Sequence, residues 1–295
     1  MSVPAGGDRL WIVGAGRLGL ALGLALHRSG AVVSLAYSGR LAEAPRHPLF
    51  DGDPPAATYD GGALSAPPGV TGVLLAVPDG AIPEVAARLA AVPLDPAIPI
   101  LHASGALSVA ALAELAGRGH PVGSVHALAA VADPTEGAER LRGATFGVEG
   151  SGAARALAER IVSGCGGRVL PVPSEGKPLY HAAAVFAANY TTVLLGVAER
   201  LMAQAGVEPE EARSALAGLA AGAVANVAAG GPAAALTGPV ARGDAETVRL
   251  HRARLSPAEG ELYSVLAREA LRLARSAGLG NDEAARIESV LGEGT

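Results

Sequence analysis

Short apolar runs alternate with segments of helical periodicity in the first part of the chain, and this alternation strongly limits the folds that it can adopt. Apolar runs predict strands at residues 10–13, 31–37, 70–77, 98–102 and 122–126, with a weaker candidate at 56–59. Helical spacing predicts helices at residues 17–28, 82–89 and 107–115. Because strands separated by such helices form a parallel sheet with helices on both faces, we predict an α/β domain with a mostly parallel sheet.

The character of the sequence changes near residue 172. A last strand is predicted at residues 168–172, and a turn with the sequence Pro173-Ser174-Glu175-Gly176 follows it. Beyond the turn only helical patterns occur, at residues 177–205, 208–229, 244–255, 257–277 and 282–291. Asp244 and Ser256 stand where helix N-caps are expected. We therefore predict an α/β domain over residues 1–172 and an all-α domain over residues 173–295.

A glycine-rich motif lies between the first predicted strand and the first predicted helix, and its sequence is Gly14-Ala15-Gly16-Arg17-Leu18-Gly19. In a dinucleotide-binding loop of this form, the glycines allow a tight turn, close approach of the pyrophosphate and close packing of helix on strand. The N-terminus of the following helix offers free N–H groups to the phosphates. A glycine-rich turn without a nucleotide is the alternative, but the strand and helix around the motif favour a Rossmann-type site.

The residues that follow the second strand favour NADP over NAD. An NAD site places an acidic residue about 20 residues beyond the loop, whereas no Asp or Glu occurs here before Glu43. Ser38 and Arg40 occupy that region instead, and an arginine there can bind a 2′-phosphate. A solvated surface arginine is the alternative interpretation of Arg40.

Two further strand ends are assigned to the same cofactor site. Ligands of open parallel sheets bind beyond the carboxyl ends of the strands. Val77, Pro78 and Asp79 end one of these strands, and Ser104 follows another. Ser104 is a candidate donor to the nicotinamide carboxamide or to the substrate, with a role as a helix N-cap as the alternative.

Charge and cysteine content exclude several functions. The chain has a formal net charge of −5 and no basic tail, which argues against a nucleic-acid partner. Its single cysteine, Cys165, excludes a disulfide framework and a Cys-based zinc cluster. No two of the seven histidines have the spacing of a metal-binding helix, so no metal is predicted.

Two long uncharged stretches, residues 178–198 and 214–241, resemble membrane spans in length. Both contain polar residues that would be costly in lipid, so we predict buried helices of a soluble protein and no membrane partner. Residues 1–8 lack the basic and apolar segments of a signal peptide. Together with the single cysteine, this indicates a cytoplasmic location.

A series of short motifs carries a resemblance to a known family. In chain order they are the loop at 14–19, Val77-Pro78-Asp79, His102-Ala103-Ser104-Gly105, Gly123-Ser124-Val125-His126, Tyr180-His181-Ala182-Ala183-Ala184, Asn189-Tyr190 and residues 236–244. The chain resembles the Rossmann-like proteins with a DUF2520 C-terminal domain and, through them, the 6-phosphogluconate dehydrogenase-like superfamily, which includes pyrroline-5-carboxylate reductases. The resemblance implies an NADP-binding domain and a helical domain that often pairs into a dimer. It implies no particular substrate.

The sequence departs from the family pattern near one of these motifs. The family commonly has a proline after the histidine of the Gly-Ser-x-His segment, whereas Ala127 follows His126 here. Residues 128–130 are also apolar, which argues against a polar substrate contact in this loop. His126 still ends a strand over the predicted crevice and is kept as a candidate catalytic residue, with a structural histidine as the alternative.

The first helix of the second domain carries the remaining candidate catalytic residues. Lys177, His181, Val185 and Asn189 are spaced four residues apart, so in an α-helix they form one stripe. Superfamily members place a Lys and an Asn on this helix facing the nicotinamide, which implies a role for Lys177. His181 is the predicted proton donor or acceptor, and Asn189 is predicted to orient the substrate. A buried His–Asn hydrogen bond between packed helices is the alternative.

These features predict an oxidoreductase that transfers hydride between NADP(H) and a small carbonyl, hydroxy-acid or imine substrate. The alternative is a catalytically silent NADP(H)-binding sensor or regulatory protein, which the alanines at 127, 129 and 130 favour. The two uncharged stretches offer more apolar surface than one small helical domain needs. We therefore also predict a homodimer formed through the C-terminal helices.

Overall fold

A computed structural model of the protein describes residues 7–62 and 64–292. Most of the segment on which the signal-peptide prediction rests lies outside these residues. The chain divides into two compact units, the first ending at Asn189 and the second beginning at Tyr190. The division falls later in the chain than the predicted boundary at residue 172, so the segment from Lys177 to Asn189 packs with the α/β unit.

The α/β unit contains an eight-stranded sheet with the order β3-β2-β1-β4-β5-β6-β7-β8. The strands are β1 Asp8–Val13, β2 Val32–Gly39, β3 Ala57–Gly61, β4 Gly72–Leu75, β5 Ile100–His102, β6 Val122–Ala127, β7 Thr145–Gly150 and β8 Arg168–Pro171. All neighbours are parallel except β6 and β7, which are antiparallel. The predicted mostly parallel sheet is confirmed, including the weak strand at 56–59.

Six α-helices occur in the described residues of this unit. They are α1 Arg17–Arg28, α2 Ile82–Ala90, α3 Ala113–Gly117, α4 Pro134–Arg140, α5 Gly152–Gly164 and α6 Lys177–Ala184. The predicted helix at 107–115 is replaced by a 3-10 turn at Val109–Leu112 followed by the short α3. The sequence analysis made no prediction for β7, α4 or α5.

Apolar layers cover both faces of the sheet. In β1 the side chains alternate, so Leu10 and Ile12 pack on one face and Trp11 and Val13 on the other. Helices α1 and α5 cover the first face, and α2 covers the second. A central strand that is buried on both faces explains the continuous apolar run at 10–13.

The strand register brings several carboxyl ends to one edge of the sheet. Val13 pairs with Ser38 on one side and with Leu75 on the other. Leu75 in turn pairs with His102, and His102 pairs with Ser124. The loops that follow these strands therefore lie side by side, where a parallel sheet binds its ligand.

Between Tyr190 and Gly292, the described part of the second unit, the regular elements are all helices. They are α7 Thr191–Gln204, α8 Pro209–Ala235, α9 Ala245–Arg252, α10 Pro257–Ser276 and α11 Asn281–Gly292. Both predicted N-caps are confirmed: Asp244 accepts a hydrogen bond from Thr247 N, and Ser256 forms a capping box with Glu259. Helix α8 is broken at Gly231, which has a φ of 77° and directly precedes Pro232.

The apolar helices of the C-terminal half are exposed in the single chain. The segments Ser174–Gln204 and Pro209–Ala235 are long and apolar enough to cross a membrane by length and composition alone, and 0% of each tested window is buried. The core of the helical unit is formed mainly by α9, α10 and α11 instead. The prediction that these stretches are buried is therefore wrong for one chain by itself.

Candidate functional site

The glycine-rich loop has the geometry that its sequence predicts. Gly14 has a φ of 117°, and a Cβ there would lie 2.5 Å from Ala76 O. A Cβ on Gly19 would overlap Gly14 O, so the third glycine allows α1 to pack against the loop. A Cβ on Gly16 would meet nothing within 4 Å. Gly16 thus leaves open space above the loop, into which a ligand can approach the backbone.

The start of α1 suits an anionic ligand. Gly16 is the N-cap and offers no side-chain hydrogen bond to the helix, and the first turn contains no acidic residue. Arg17 is exposed at the first helical position, whereas Leu18 and the neighbouring Ala15 pack against the core. Free N–H groups, a helix dipole and one arginine make this loop compatible with the pyrophosphate of a dinucleotide.

Ser38 and Arg40, the two residues predicted to bind the 2′-phosphate, have different environments. Ser38 is 2% exposed, and its Oγ accepts a hydrogen bond from Trp11 Nε1 at 3.0 Å. Ser38 is therefore a core residue, which corrects its assignment as a phosphate ligand. Arg40 is exposed just beyond β2 and makes no ion pair within the described part of the chain. Of the two, only Arg40 is available to a ligand.

The loops after β4 and β5 join the same edge. Pro78 and Asp79 are exposed, and Val77 is half-buried before a 3-10 turn at Asp79–Ala81. Ser104 is buried, and its Oγ accepts hydrogen bonds from Ala106 N and Leu107 N at 3.2 and 3.0 Å. The Ser104 hydroxyl thus shapes its own turn, whereas the N-cap of the following 3-10 turn is Ser108 and not Ser104.

Helix α6 brings His181 against His126, which lies near the end of β6. The rings of His126 and His181 are edge-to-face, with centroids 5.6 Å apart. Both rings contact Gly105: a Cβ there would lie 2.5 Å from His181 Nδ1 and 2.8 Å from His126 Nε2. The absence of a side chain at Gly105 is therefore what allows the two histidines to converge.

Tyr180 completes this group, and the sequence analysis assigned it no role. Its hydroxyl lies 2.9 Å from His126 Nδ1. A Cβ on Gly147 of β7 would overlap the Tyr180 hydroxyl, so a second glycine makes room for the group. In the sequence, the signal that could have identified Tyr180 was its position next to His181. We call His126, Tyr180 and His181 the histidine–tyrosine cluster.

The ionisation of the cluster is shaped by burial. Burial, together with the charges of His181 and Lys177, lowers the pKa of His126 to about 4, against a smaller opposing effect of Asp79. His126 is therefore neutral near pH 7. His181 Nδ1 is buried and has no hydrogen-bond partner in the described part of the chain.

His102 is a structural residue, in accord with the alternative considered for buried histidines. It is 0% exposed, its Nδ1 accepts a hydrogen bond from Ser104 N at 3.2 Å, and its Nε2 lies 3.1 Å from Ser108 O. These partners define a neutral ring with the proton on Nε2. Burial is the main cause that lowers its pKa to about 4.

Lys177 is 0% exposed and points into the protein, although the sequence analysis made it a candidate catalytic residue. Its Nζ donates hydrogen bonds to Ser104 O at 2.9 Å and to Ser124 Oγ at 3.0 Å. Burial lowers the pKa of Lys177, and the nearby Glu149 and Asp79 oppose that effect. The ammonium therefore contacts the loop behind the histidines and does not face solvent.

Asn189 lies on a different type of helix from Lys177 and His181. The helix is α-helical only to Ala184, and Val185–Tyr190 forms a π-helix. Because a π-helix turns by less per residue than an α-helix, the angular spacing of an α-helix does not apply from Val185 to Asn189. Asn189 is exposed. The prediction of one continuous α-helix over residues 177–205 is therefore wrong at this point.

Metal ligands are not brought together in residues 7–62 and 64–292. No group of three or more His, Cys, Asp or Glu residues in those ranges could hold a metal ion.

Solved structures share this fold over nearly the whole chain. A Bacteroides fragilis protein described as a candidate NADP oxidoreductase has 21% identity and a TM-score of 0.73, with 90% of this chain and 98% of that chain covered. A Thermotoga maritima protein, TM1727, has 23% identity and a TM-score of 0.68 over 90% and 98% of the two chains. An NADP-bound pyrroline carboxylate reductase of Plasmodium falciparum has 14% identity and a TM-score of 0.60 over 95% and 98%.

Sequence profiles of two families match most of the chain between them. A Rossmann-like domain matches residues 7–127, and a domain of unknown function, DUF2520, matches residues 144–270. No curated protein sequence matches the chain. The first match covers β1 to β6, and the second begins before β7 and runs through α5, β8 and α6 into α10 of the helical unit. The chain therefore carries a Rossmann-like domain followed by a DUF2520 domain.

Proposed function

We propose that the protein is an NADP-dependent oxidoreductase that acts on a small carbonyl, hydroxy-acid or imine substrate. The observation that carries this proposal is the position of the histidine–tyrosine cluster. It packs on Gly105 after β5, at the same sheet edge as the glycine-rich loop after β1. A phosphate-binding loop and titratable side chains along one edge are what a dinucleotide-dependent reaction needs.

The chain's own residues account for cofactor binding. The N–H groups at the start of α1 bind the pyrophosphate above Gly16, and Arg40 binds the 2′-phosphate. Residues 77–79 border the site beyond β4. The nicotinamide cofactor supplies hydride chemistry when it is bound, and three solved neighbours carry NADP or NADPH or are described as NADP oxidoreductases.

His181 provides the proton that must accompany hydride transfer to a carbonyl or imine. An imidazole can give or accept a proton and suits this role. His126 is neutral beside it and does not compete for the proton. The Tyr180 hydroxyl holds His126 in place through Nδ1. The cluster thus orients one proton donor with two neutral neighbours.

A substrate panel tests the proposal. NADPH oxidation is followed with keto acids, aldehydes, ketones and cyclic imines, and NADPH affinity is measured separately by calorimetry. We expect turnover with at least one of these classes. Tight NADPH binding with no turnover on the whole panel would contradict the proposal and would instead support the sensor function.

Cofactor preference gives a sharper test of the Arg40 assignment. The Arg40→Asp variant is expected to weaken NADPH binding by ~10–100-fold, because it removes a charge-assisted contact worth about 1.5–3 kcal/mol. NADH affinity should change little, since NADH has no 2′-phosphate. Arg88→Asp, an exposed arginine of α2, is the matched control. Equal affinities of the wild type for NADPH and NADH would refute the assignment.

We propose that the cytoplasmic protein is a homodimer whose interface covers the apolar faces of α7 and α8. Val193, Leu219 and Val224 are 57%, 72% and 63% exposed in the single chain. Contiguous apolar surface of this kind is rare on monomers and typical of obligate interfaces. A second copy of this chain would cover both helices.

Sedimentation equilibrium tests the assembly. We expect a mass near twice the 29.1 kDa of one chain at micromolar concentration. Leu219→Glu should produce monomers or aggregates, because it places a charge in the interface. Leu41→Glu changes a leucine of similar exposure outside the helices and serves as the control. A wild-type mass of one chain would contradict the dimer.

A further inference from the structure

A buried lysine and a buried glutamate are joined through one hydroxyl group in the α/β unit. Lys177 Nζ donates to Ser124 Oγ at 3.0 Å, and Ser124 Oγ donates to Glu149 Oε2 at 3.3 Å. Lys177 is 0% exposed and Glu149 is 6% exposed. The two opposite charges therefore balance each other inside the protein, where an unpaired charge would be strongly unfavourable.

Glu149 extends this network to two further elements. Both of its carboxylate oxygens accept the Val109 N–H, at 3.1 Å each, at the start of the 3-10 turn after β5. Its Oε1 also accepts a hydrogen bond from Ser174 Oγ at 2.5 Å, in the turn before α6. One carboxylate thus ties β7 to both segments that border the histidine–tyrosine cluster.

A lysine suits this position better than an arginine. Lys177 is the single lysine of the chain, and every other member of its 23 Lys and Arg residues is an arginine. Its compact ammonium binds one carbonyl and one hydroxyl, Ser104 O and Ser124 Oγ, and lies 5.8 Å from the ring centroid of Tyr180. A guanidinium is larger and presents its donors in a fixed planar fork, which suits these two acceptors less well.

Lys177 binds the turn that ends at Gly105 and also belongs to the helix that carries His181. Ser104, whose carbonyl it binds, directly precedes Gly105, the residue against which both imidazoles pack. His181 lies one turn after Lys177 on α6, and its Nδ1 is the atom that contacts Gly105. The ammonium therefore joins the turn and the helix that together set the separation of the two rings.

We propose that Lys177 is a positioning residue whose ammonium, balanced by Glu149, holds the Ser104-Gly105 turn against α6 so that His126 and His181 face each other. The charge of Lys177 also acts on His126. The other groups that act electrostatically on His126 are His181, which lies on the same helix as Lys177, and Asp79 beyond β4. The consequence for turnover rests on the proposed function. The consequence for the ionisation of His126 does not.

The Lys177→Met variant tests this role in the full-length protein. Ring C–H resonances of His126 are followed by NMR from pH 8 to 3 without cofactor. We expect the pKa of His126 to rise above about 4, because one repelling positive charge is removed, whereas burial, the largest cause of the lowered pKa, remains. If turnover is found, kcat should fall by ~10²-fold at nearly unchanged NADPH affinity, since displaced reacting groups cost rate more than binding.

Two further variants keep the test decisive. Lys177→Met/Glu149→Gln removes both charges, so it should fold even if the single variant does not, and it should show the same rise in the pKa of His126. Arg160→Met breaks the ion pair with Asp8, 2.7 Å apart, elsewhere in the same unit and is expected to change neither readout. This control shows how the loss of an ion pair elsewhere in the unit affects the pKa of His126 and kcat.

An unchanged pKa of His126 in either folded variant would overturn the proposal. Failure of both Lys177 variants to fold would also overturn it, because the pair would then serve stability alone. If the wild-type protein turns over no substrate, the proposed function fails by itself, and the NMR titration still decides whether Lys177 acts on His126.

Discussion

Replacing His181 with alanine is expected to lower kcat by ~10²–10⁴-fold, the usual cost of removing a general acid. NADPH affinity should stay unchanged, because the pyrophosphate and 2′-phosphate are held by the start of α1 and by Arg40. Stopped-flow measurement of NADPH oxidation in single turnovers separates the chemical step from product release.

Two further variants test whether the His181 result is specific, one as a control and one as a disturbance of the site. His27→Ala removes an exposed histidine of α1 and should leave kcat unchanged. Gly105→Ala keeps both histidines but places a methyl group 2.5 Å from His181 Nδ1, so it should also lower kcat. Normal turnover of His181→Ala would remove His181 from the mechanism, and His126 would become the next candidate proton donor.

Acid is expected to destabilise the α/β unit steeply between pH 6.5 and pH 4. His102 and His126 each have a pKa of about 4 in the folded protein, against an ordinary value of 6.5. In this interval the unfolded chain binds protons that the folded chain does not, so the free energy of unfolding falls as the pH is lowered. Each histidine contributes about 3 kcal/mol to the loss, at 1.36 kcal/mol per pKa unit.

Urea unfolding at a series of pH values measures this effect. The His102→Gln variant should lose about 3 kcal/mol less than the wild type between pH 6.5 and pH 4, because it has no buried imidazole to protonate at that position. His27→Gln, on the exposed face of α1, should follow the wild-type curve. Equal pH dependence of His102→Gln and the wild type would contradict the assignment of His102 as a buried neutral ring.

Local patterns predicted much of the fold because they report local physics. The run at residues 10–13 is apolar throughout because β1 is buried on both faces. Asp244 and Ser256 mark helix starts because their side chains bind backbone N–H groups only three residues away. The glycine-rich loop was equally readable, since its backbone demands act within a few residues.

The features that the sequence did not predict depend on packing between distant parts of the chain. β7 contains two glycines and a glutamate, so its sequence lacks an apolar strand pattern. One of those glycines makes room for Tyr180, and the glutamate balances Lys177. Neither need is visible within the strand itself, because the partners lie in α6, far along the chain.

In the candidate site, too, the sequence identified residues, whereas the fold determined their contacts. The sequence named His126, His181 and Lys177, but only the fold placed the two imidazoles together on Gly105 and buried the ammonium behind them. Ser38 was expected to bind phosphate, yet the strand register faces it toward the Trp11 indole. Asn189 was expected on one continuous α-helix with His181, yet a π-helix begins at Val185 and Asn189 is exposed.

The sequence by itself determined the parallel sheet, the phosphate-binding loop, the helix caps and the change from α/β to all-α structure. These features depend on residue spacing and on contacts between near neighbours. Only the tertiary structure decided which titratable groups converge, which are neutral and which charges are paired. Those properties depend on desolvation and on partners from distant strands and helices, such as Gly105, Gly147 and Glu149, whose roles exist only when the sheet and α6 are assembled.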